Sequence, residues 1–194
     1  MAEKTSNEIT IRVNVSNDEF MNYLNSNGFK ETERFTLDDY YYIPKNLDLD
    51  SLSIREIISK AIIIRDIKGN NTRIPRLTYK IKDINEKGEI ISQKAINCNI
   101  YDKEEAKQFL DAIGYYEIMN IKESDIVYSN GDIELGCKFI ENFDIMIEIE
   151  TDEKYDTTEK LINKIKELNF PVDYSNCYVK KAEIVLEKIL NRKN

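Results

Sequence analysis

The chain has 194 residues, 41% apolar and 33% charged, with only six glycines and three prolines, a composition that buries a core and excludes disorder. A formal net charge of −8 argues against general nucleic-acid binding, which needs a basic surface to neutralise phosphates. Histidine is absent, which removes imidazole bases, Ser-His-Asp and Cys-His nucleophile pairs and most zinc chemistry. Any catalysis must then come from carboxylates, Lys, Arg, Tyr or an oxygen-ligated hard cation.

No apolar run approaches the roughly 18 residues of a membrane span, and the polar N-terminus is unlike a signal peptide. Three cysteines, Cys98, Cys137 and Cys177, stand at no metal-ligand spacing, so a reducing cytoplasm is the expected compartment.

In chain order, Glu8 to Val15 alternates polar and apolar residues as a half-buried strand does. Ser16 and Glu19 form a capping-box pattern that opens a helix with Phe20, Tyr23 and Leu24 on one face, stopped at Gly28. A β-rich stretch from Glu33 to Ile43 follows, and a second capping signal, Ser53 to Glu56, predicts a short helix before strand Lys60–Ile67. Arg76–Lys82 and Glu89–Asn99 read as a hairpin around Asn85-Glu86-Lys87-Gly88. Asp102 then caps a helix expected to send Ala106, Phe109, Leu110 and Ile113 inward, with Gly114 as its stop. Ile118–Tyr128 and Asp132–Phe139 flank Asn130-Gly131, a type I′ turn by its residues, and Asp144–Thr151 makes the last strand. Helices Thr157–Leu168 and Tyr178–Leu190 close the chain. About eight mostly antiparallel strands with helices outside predict an α+β fold whose sheet curls or closes, as one domain over residues 1–194.

The chain also repeats itself. Gly28-Phe29 is followed by Asp39 and Tyr42, and Gly114-Tyr115 by Asp125 and Tyr128, at the same spacing. A duplicated strand–helix–strand unit is the reading.

Period-two alternation places Glu8, Thr10 and Arg12 on one face of the first strand, and Arg76, Thr78, Lys80 and Lys82 on one face of another. Arg65 falls on the same kind of face, as do Glu148 and Glu150 of the last strand. Carboxylates two residues apart on a strand lie roughly 7 Å from each other, close enough to hold a hard cation with help from another acid, and Glu8 is the natural third.

Several stretches resemble the CYTH superfamily, the class IV adenylate cyclases, thiamine triphosphatases and other triphosphate tunnel metalloenzymes. They are Glu8-Ile9-Thr10-Ile11-Arg12, Asp38-Asp39-Tyr40-Tyr41-Tyr42-Ile43-Pro44, Ala61-Ile62-Ile63-Ile64-Arg65, Leu77-Thr78-Tyr79-Lys80 and Ile147-Glu148-Ile149-Glu150. The resemblance implies a closed antiparallel eight-stranded β-tunnel with helices packed outside. It implies that Arg12, Arg65, Arg76 and Lys80 bind phosphate and that Glu8, Glu148 and Glu150 hold Mg²⁺ or Mn²⁺. The chain departs from the family pattern where Thr10 replaces an acid, and where Ile63, Glu123 and Asp125 stand at basic positions. Lys138 falls on a family Asp, and Ile96 and Cys98 on acidic positions of the fifth strand. Glu123 and Asp125 are expected to repel part of a triphosphate.

Three activities follow from the resemblance. One is a metal-dependent phosphohydrolase of inorganic, thiamine or nucleoside triphosphate. The second is a class IV-type adenylate cyclase, and the third a degenerate tunnel binding a small ligand or a protein partner without turnover. The expected partner is a small phosphorylated molecule, with no nucleic acid and no membrane, and the chain a monomer or homodimer.

Overall fold

The computed structural model describes residues 7–70, 72–86, 89–141 and 143–191. Local signals fix where helices begin. At Ser16 the chain leaves β1 (Glu8–Arg12) for α1 (Asn17–Ser26): the Ser16 hydroxyl accepts from the Glu19 amide while the Glu19 carboxylate accepts from the Ser16 amide. Ser53 and Glu56 repeat this at α2 (Ile54–Ser59), and the Asp102 carboxylate accepts from the Glu104 and Glu105 amides at α3 (Lys103–Ala112). Each satisfies amides that have no partner inside the helix.

The remaining strands are β2 (Lys30–Pro44), β3 (Ile62–Gly69), β4 (Arg73–Ile84), β5 (Ile90–Asn99), β6 (Tyr115–Ser129), β7 (Glu134–Ile140) and β8 (Ile145–Glu150), and the last helices are α4 (Thr158–Glu167) and α5 (Lys181–Leu190). Among the described residues, eight strands join in the order β1-β8-β7-β6-β2-β3-β4-β5, a sheet whose two end strands are β1 and β5. The β1–β8, β7–β8, β2–β3 and β3–β4 pairs are antiparallel, so the fold is α+β as expected. No described helix is long and apolar enough to cross a membrane.

Packing groups the chain into two compact units. The first comprises the chain up to Arg34, Asp83–Ser92 and Ser124–Val179; the second comprises Phe35–Lys82, Gln93–Glu123 and the chain from Lys180 on. In the first, Ile9 and Ile11 of β1 and Ile145, Ile147 and Ile149 of β8 pack with Phe20 and Leu24 of α1 and Leu161 and Ile165 of α4. Phe170 seals that core, with the Tyr23 ring at 4.8 Å and the Phe29 ring at 5.6 Å. In the second, Tyr42 and Ile64 pack beneath Ala106 and Leu110 of α3, joined by Tyr40, Ile62, Leu77 and Tyr115.

Two sequence expectations change. Phe109 is 58% and Ile113 52% exposed, because α3 meets the sheet along the narrow stripe of Ala106 and Leu110. The turn after β6 is not type I′. Gly131 has φ +83 but Asn130 does not take positive φ; its side-chain oxygen instead accepts from the Asp132 and Ile133 amides. Lys87 and Gly88, in the expected β4–β5 turn, lie outside the described residues.

The repeat takes structural form. The chain passes the ends of α1 and α3 through Gly28 (φ +75) and Gly114 (φ +89), and each glycine is followed by a strand of 15 residues. A Cβ at Gly114 would meet nothing within 4 Å, so Gly114→Ala should cost only the left-handed backbone penalty, about 1–2 kcal/mol. Chemical denaturation checks this, and an unchanged midpoint would contradict the assigned role.

Candidate phosphate-binding site

In the second unit, register decides which side chains meet. Asp39 lies opposite Arg65 across β2–β3, and Arg65 opposite Arg76 across β3–β4. Thr78 and Lys80 follow Arg76 at period two, on the sheet face turned away from α3. Two arginines directly opposite each other repel.

Asp39 is 1% exposed and takes both arms of the Arg65 guanidinium, at 2.7 Å to Nε and 2.5 Å to Nη2. Burial alone would raise the Asp39 pKa, but the Arg65 hydrogen bonds and charge, with Lys181 and Lys80 nearby, hold it below the ordinary carboxylate range. Arg65 is thereby fixed in one orientation.

The other two cations are less well satisfied. The Arg76 Nε is buried with no hydrogen-bond partner among the described residues, and burial followed by the Arg65 charge pulls its pKa down. The Lys80 ammonium has no counter-ion within ion-pair distance among the described residues. Its pKa is pushed down to about 7, by burial first and then by Arg65, Lys82 and Lys181, with Asp39 a partial offset. Together these groups form a positive face with one tethered guanidinium and two under-neutralised cations, the arrangement an anionic ligand relieves.

Sequence reasoning missed a fourth cation. Lys181, in the first turn of α5, donates to Glu123, which is 4% exposed. Glu123 is therefore not the bare repelling acid expected from the sequence. A signal was present: Lys180 and Lys181 open α5, where the helix dipole disfavours cations and no side chain caps the helix. Glu123 and Asp125 are buried while Lys122 is exposed, so the two acids share the inner face of β6.

On β5 the register differs from expectation. Thr78 Oγ1 donates to Asn97 Oδ1 at 2.9 Å, which puts Asn97 on the Lys80 face. Ile96 and Cys98 instead line a cavity of about 370 Å³ with Ile62, Leu77 and Tyr79. Ile63 is a buried apolar side chain opposite Thr78.

The proposed metal ligands lie in the first unit. Glu8 is opposite Glu150 and Thr10 opposite Glu148, so the three acids share a face as their alternation predicted. They do not converge as a cage, however, and among the described residues no group of three or more acidic or cysteine side chains is placed to hold an ion. Lys138 instead points its ammonium at Asp125 (3.1 Å) and Glu148 (3.3 Å). The oxygen donors suit a hard cation, but their arrangement does not fit one held by Glu8, Glu148 and Glu150 together. Arg12 also belongs to this unit, where it meets Asp144 at 3.3 Å and lies over the Phe143 ring. It is not grouped with Arg65, Arg76 and Lys80.

The two repeats thus carry one device with opposite surroundings. Each long strand holds a buried Asp, Asp39 or Asp125, paired to a cation on the next strand, Arg65 or Lys138. The strand beyond carries Arg76 and Lys80 in one repeat, and Glu148 and Glu150 in the other.

A scan against protein-family models finds no match. A protein of Methanocaldococcus jannaschii, provisionally named an adenylate cyclase, is 27% identical over 172 residues, covering 86% of this chain and 91% of that one. The CYTH resemblance read from the sequence is in keeping with that name. Solved structures share the fold. One from Pyrococcus horikoshii OT3 matches with a TM-score of 0.68 at 22% identity, over 94% of this chain and 99% of that one. One from Hippeastrum matches with a TM-score of 0.62 at 16% identity over 97% of both chains, and is described as a provisional adenylyl cyclase with a dominant triphosphatase activity.

Proposed function

We propose that this chain is a CYTH-type phosphohydrolase of a triphosphate compound (inorganic triphosphate, thiamine triphosphate or a nucleoside triphosphate) whose sheet encloses the substrate as a tunnel. The observation that carries the reading is the face bearing Arg65, Arg76 and Lys80, where Asp39 orients one guanidinium and two further cations are left under-neutralised. Arg65, pre-oriented, would take two phosphate oxygens in one geometry, and Arg76 and Lys80 would neutralise charge developing as the terminal phosphoryl group leaves. Mg²⁺ or Mn²⁺ would arrive on the substrate's own phosphates. The triphosphatase activity described for the Hippeastrum neighbour supports this choice.

The second reading, a class IV-type adenylate cyclase, is favoured by the name of the archaeal relative. It would use the same cations with a ribose hydroxyl as nucleophile.

The test is a panel of triphosphates with Mg²⁺ or Mn²⁺, read as thermal stabilisation, phosphate release and cyclic AMP. Inorganic triphosphate is expected to stabilise the protein and to be hydrolysed. Arg76→Gln and Lys80→Gln should each weaken binding about 10- to 100-fold, the effect of one charge-assisted contact. Cyclic AMP and pyrophosphate from ATP would establish the cyclase, and binding without turnover a degenerate tunnel. Absence of binding by every triphosphate would overturn the phosphate site itself.

A further inference from the structure

We infer that the Lys138 ammonium takes the place of a divalent cation in the first unit, holding Asp125 and Glu148 together as a metal ion otherwise would. Asp125 on β6 is 2% exposed and Glu148 on β8 has a side chain 30% exposed, so without the bridging cation a buried carboxylate and a part-buried one would be left together. Lys138 supplies that cation from within the chain. Gly136 lies opposite Glu148 across β7–β8, and Lys138, two residues on, is the diagonal neighbour of that glutamate, within reach of a long side chain. Gly136 contributes no side chain beside Glu148, which leaves the diagonal open.

The ammonium sits 3.1 Å from Asp125 and 3.3 Å from Glu148, hydrogen-bonding distances, whereas Mg²⁺ needs oxygens at about 2.0–2.1 Å in octahedral array. A divalent ion at the same point would meet a tethered like charge within bonding distance and would have to expel it. The acids that look like metal ligands in the sequence are therefore arranged around a lysine. Any divalent-ion requirement of the reaction then belongs to the substrate complex and not to a resident metal.

Manganese titration with thermal unfolding as the readout tests this without any assay of turnover, so failure to hydrolyse triphosphate would leave it standing. Wild-type protein without substrate should show no saturable Mn²⁺-induced shift. Lys138→Gln exposes Asp125 and Glu148 to each other, and Mn²⁺ at roughly 100 times its Kd should then raise the melting temperature by about 5 °C or more. Because that variant leaves buried Asp125 beside part-exposed Glu148, Lys138→Gln/Asp125→Asn is the companion: it removes one of the two carboxylates the ion would bridge. It should fold and respond to Mn²⁺ no more than the wild type, because Glu8, Glu148 and Glu150 form no site without Asp125. A saturable Mn²⁺ shift in the wild type would overturn the inference whatever the variants do. So would a folded Lys138→Gln protein that responds to Mn²⁺ no more than the wild type, or a companion that responds as strongly as Lys138→Gln.

Discussion

Asp39→Ala should lower the melting temperature by roughly 10 °C, the equivalent of about 3–5 kcal/mol lost when one partner of a buried ion pair is removed. The variant leaves the Arg65 guanidinium, whose side chain is 13% exposed, directly opposite Arg76 with its counter-ion gone. Added inorganic triphosphate should recover part of the loss, because a bound anion restores the missing negative charge, and this recovery separates a site beside Arg65 from a purely structural pair. The pH dependence has a definite sign. Asp39 has a folded pKa below its unfolded value, so its pairing stabilises the wild type above pH ~4 and is lost as pH falls through the lower folded pKa. Acid unfolding of the wild type should therefore steepen below pH ~4, and the Asp39 variant should be flatter there. Melting temperatures within 2 °C of each other at pH 7 would remove Asp39–Arg65 as the anchor of the site.

The second large effect is a pH-dependent affinity carried by Lys80. With its pKa near 7, Lys80 is charged below that pH in both free and bound protein. Above pH 7 the free protein loses the proton, and a polyphosphate, by raising the pKa again, must take one up on binding. Affinity relative to a non-titrating variant should then fall by up to tenfold per pH unit above pH 7, until the bound-state pKa is reached. Lys80→Arg keeps the charge and removes the titration, so the ratio of wild-type to variant dissociation constants should rise between pH 7 and 9 and be flat below. Calorimetry in buffers of different ionisation enthalpy would read the proton uptake directly. Coincident profiles for the two proteins would sink the role. Without ligand the sign of the stability effect is opposite to that of a lysine gaining a partner. The unfolded chain binds more protons between the depressed pKa and the ordinary 10.5, so stability rises with pH across that window. Lys80→Met should abolish that rise.

Alternation, caps and glycine stops are local properties, and they were legible. The Ser16 and Ser53 capping boxes, the Asp102 cap and the positive-φ glycines 28 and 114 each depend on a few adjacent residues. The period of two placed Glu8, Thr10 and Arg12 opposite the apolar Ile9 and Ile11, and Arg65, Arg76 and Lys80 on one face, because a strand turns its side chains strictly to alternate sides. The repeat in the sequence likewise marked Asp39 and Asp125 as equivalent positions, and the structure buries both.

What the alternation could not contain is the identity of each charge's partner, since pairing is set by register between strands far apart in the chain. Asp39 chose Arg65 across β2–β3, and Glu123 was neutralised by Lys181, 58 residues away on a helix. The repulsion expected from Glu123 and Asp125 therefore misjudged acids that are already paired. Hydrogen bonding on β5 moved Asn97 to the polar face in place of Ile96 and Cys98, a one-residue register choice that inverts every side chain on the strand. The sequence determined which residues are acidic, basic or apolar and which face of its own strand each occupies. Only the tertiary structure decided which charges cancel, because Coulomb energy depends on distances that strand register and helix docking set, and it placed Lys138 between Asp125 and Glu148.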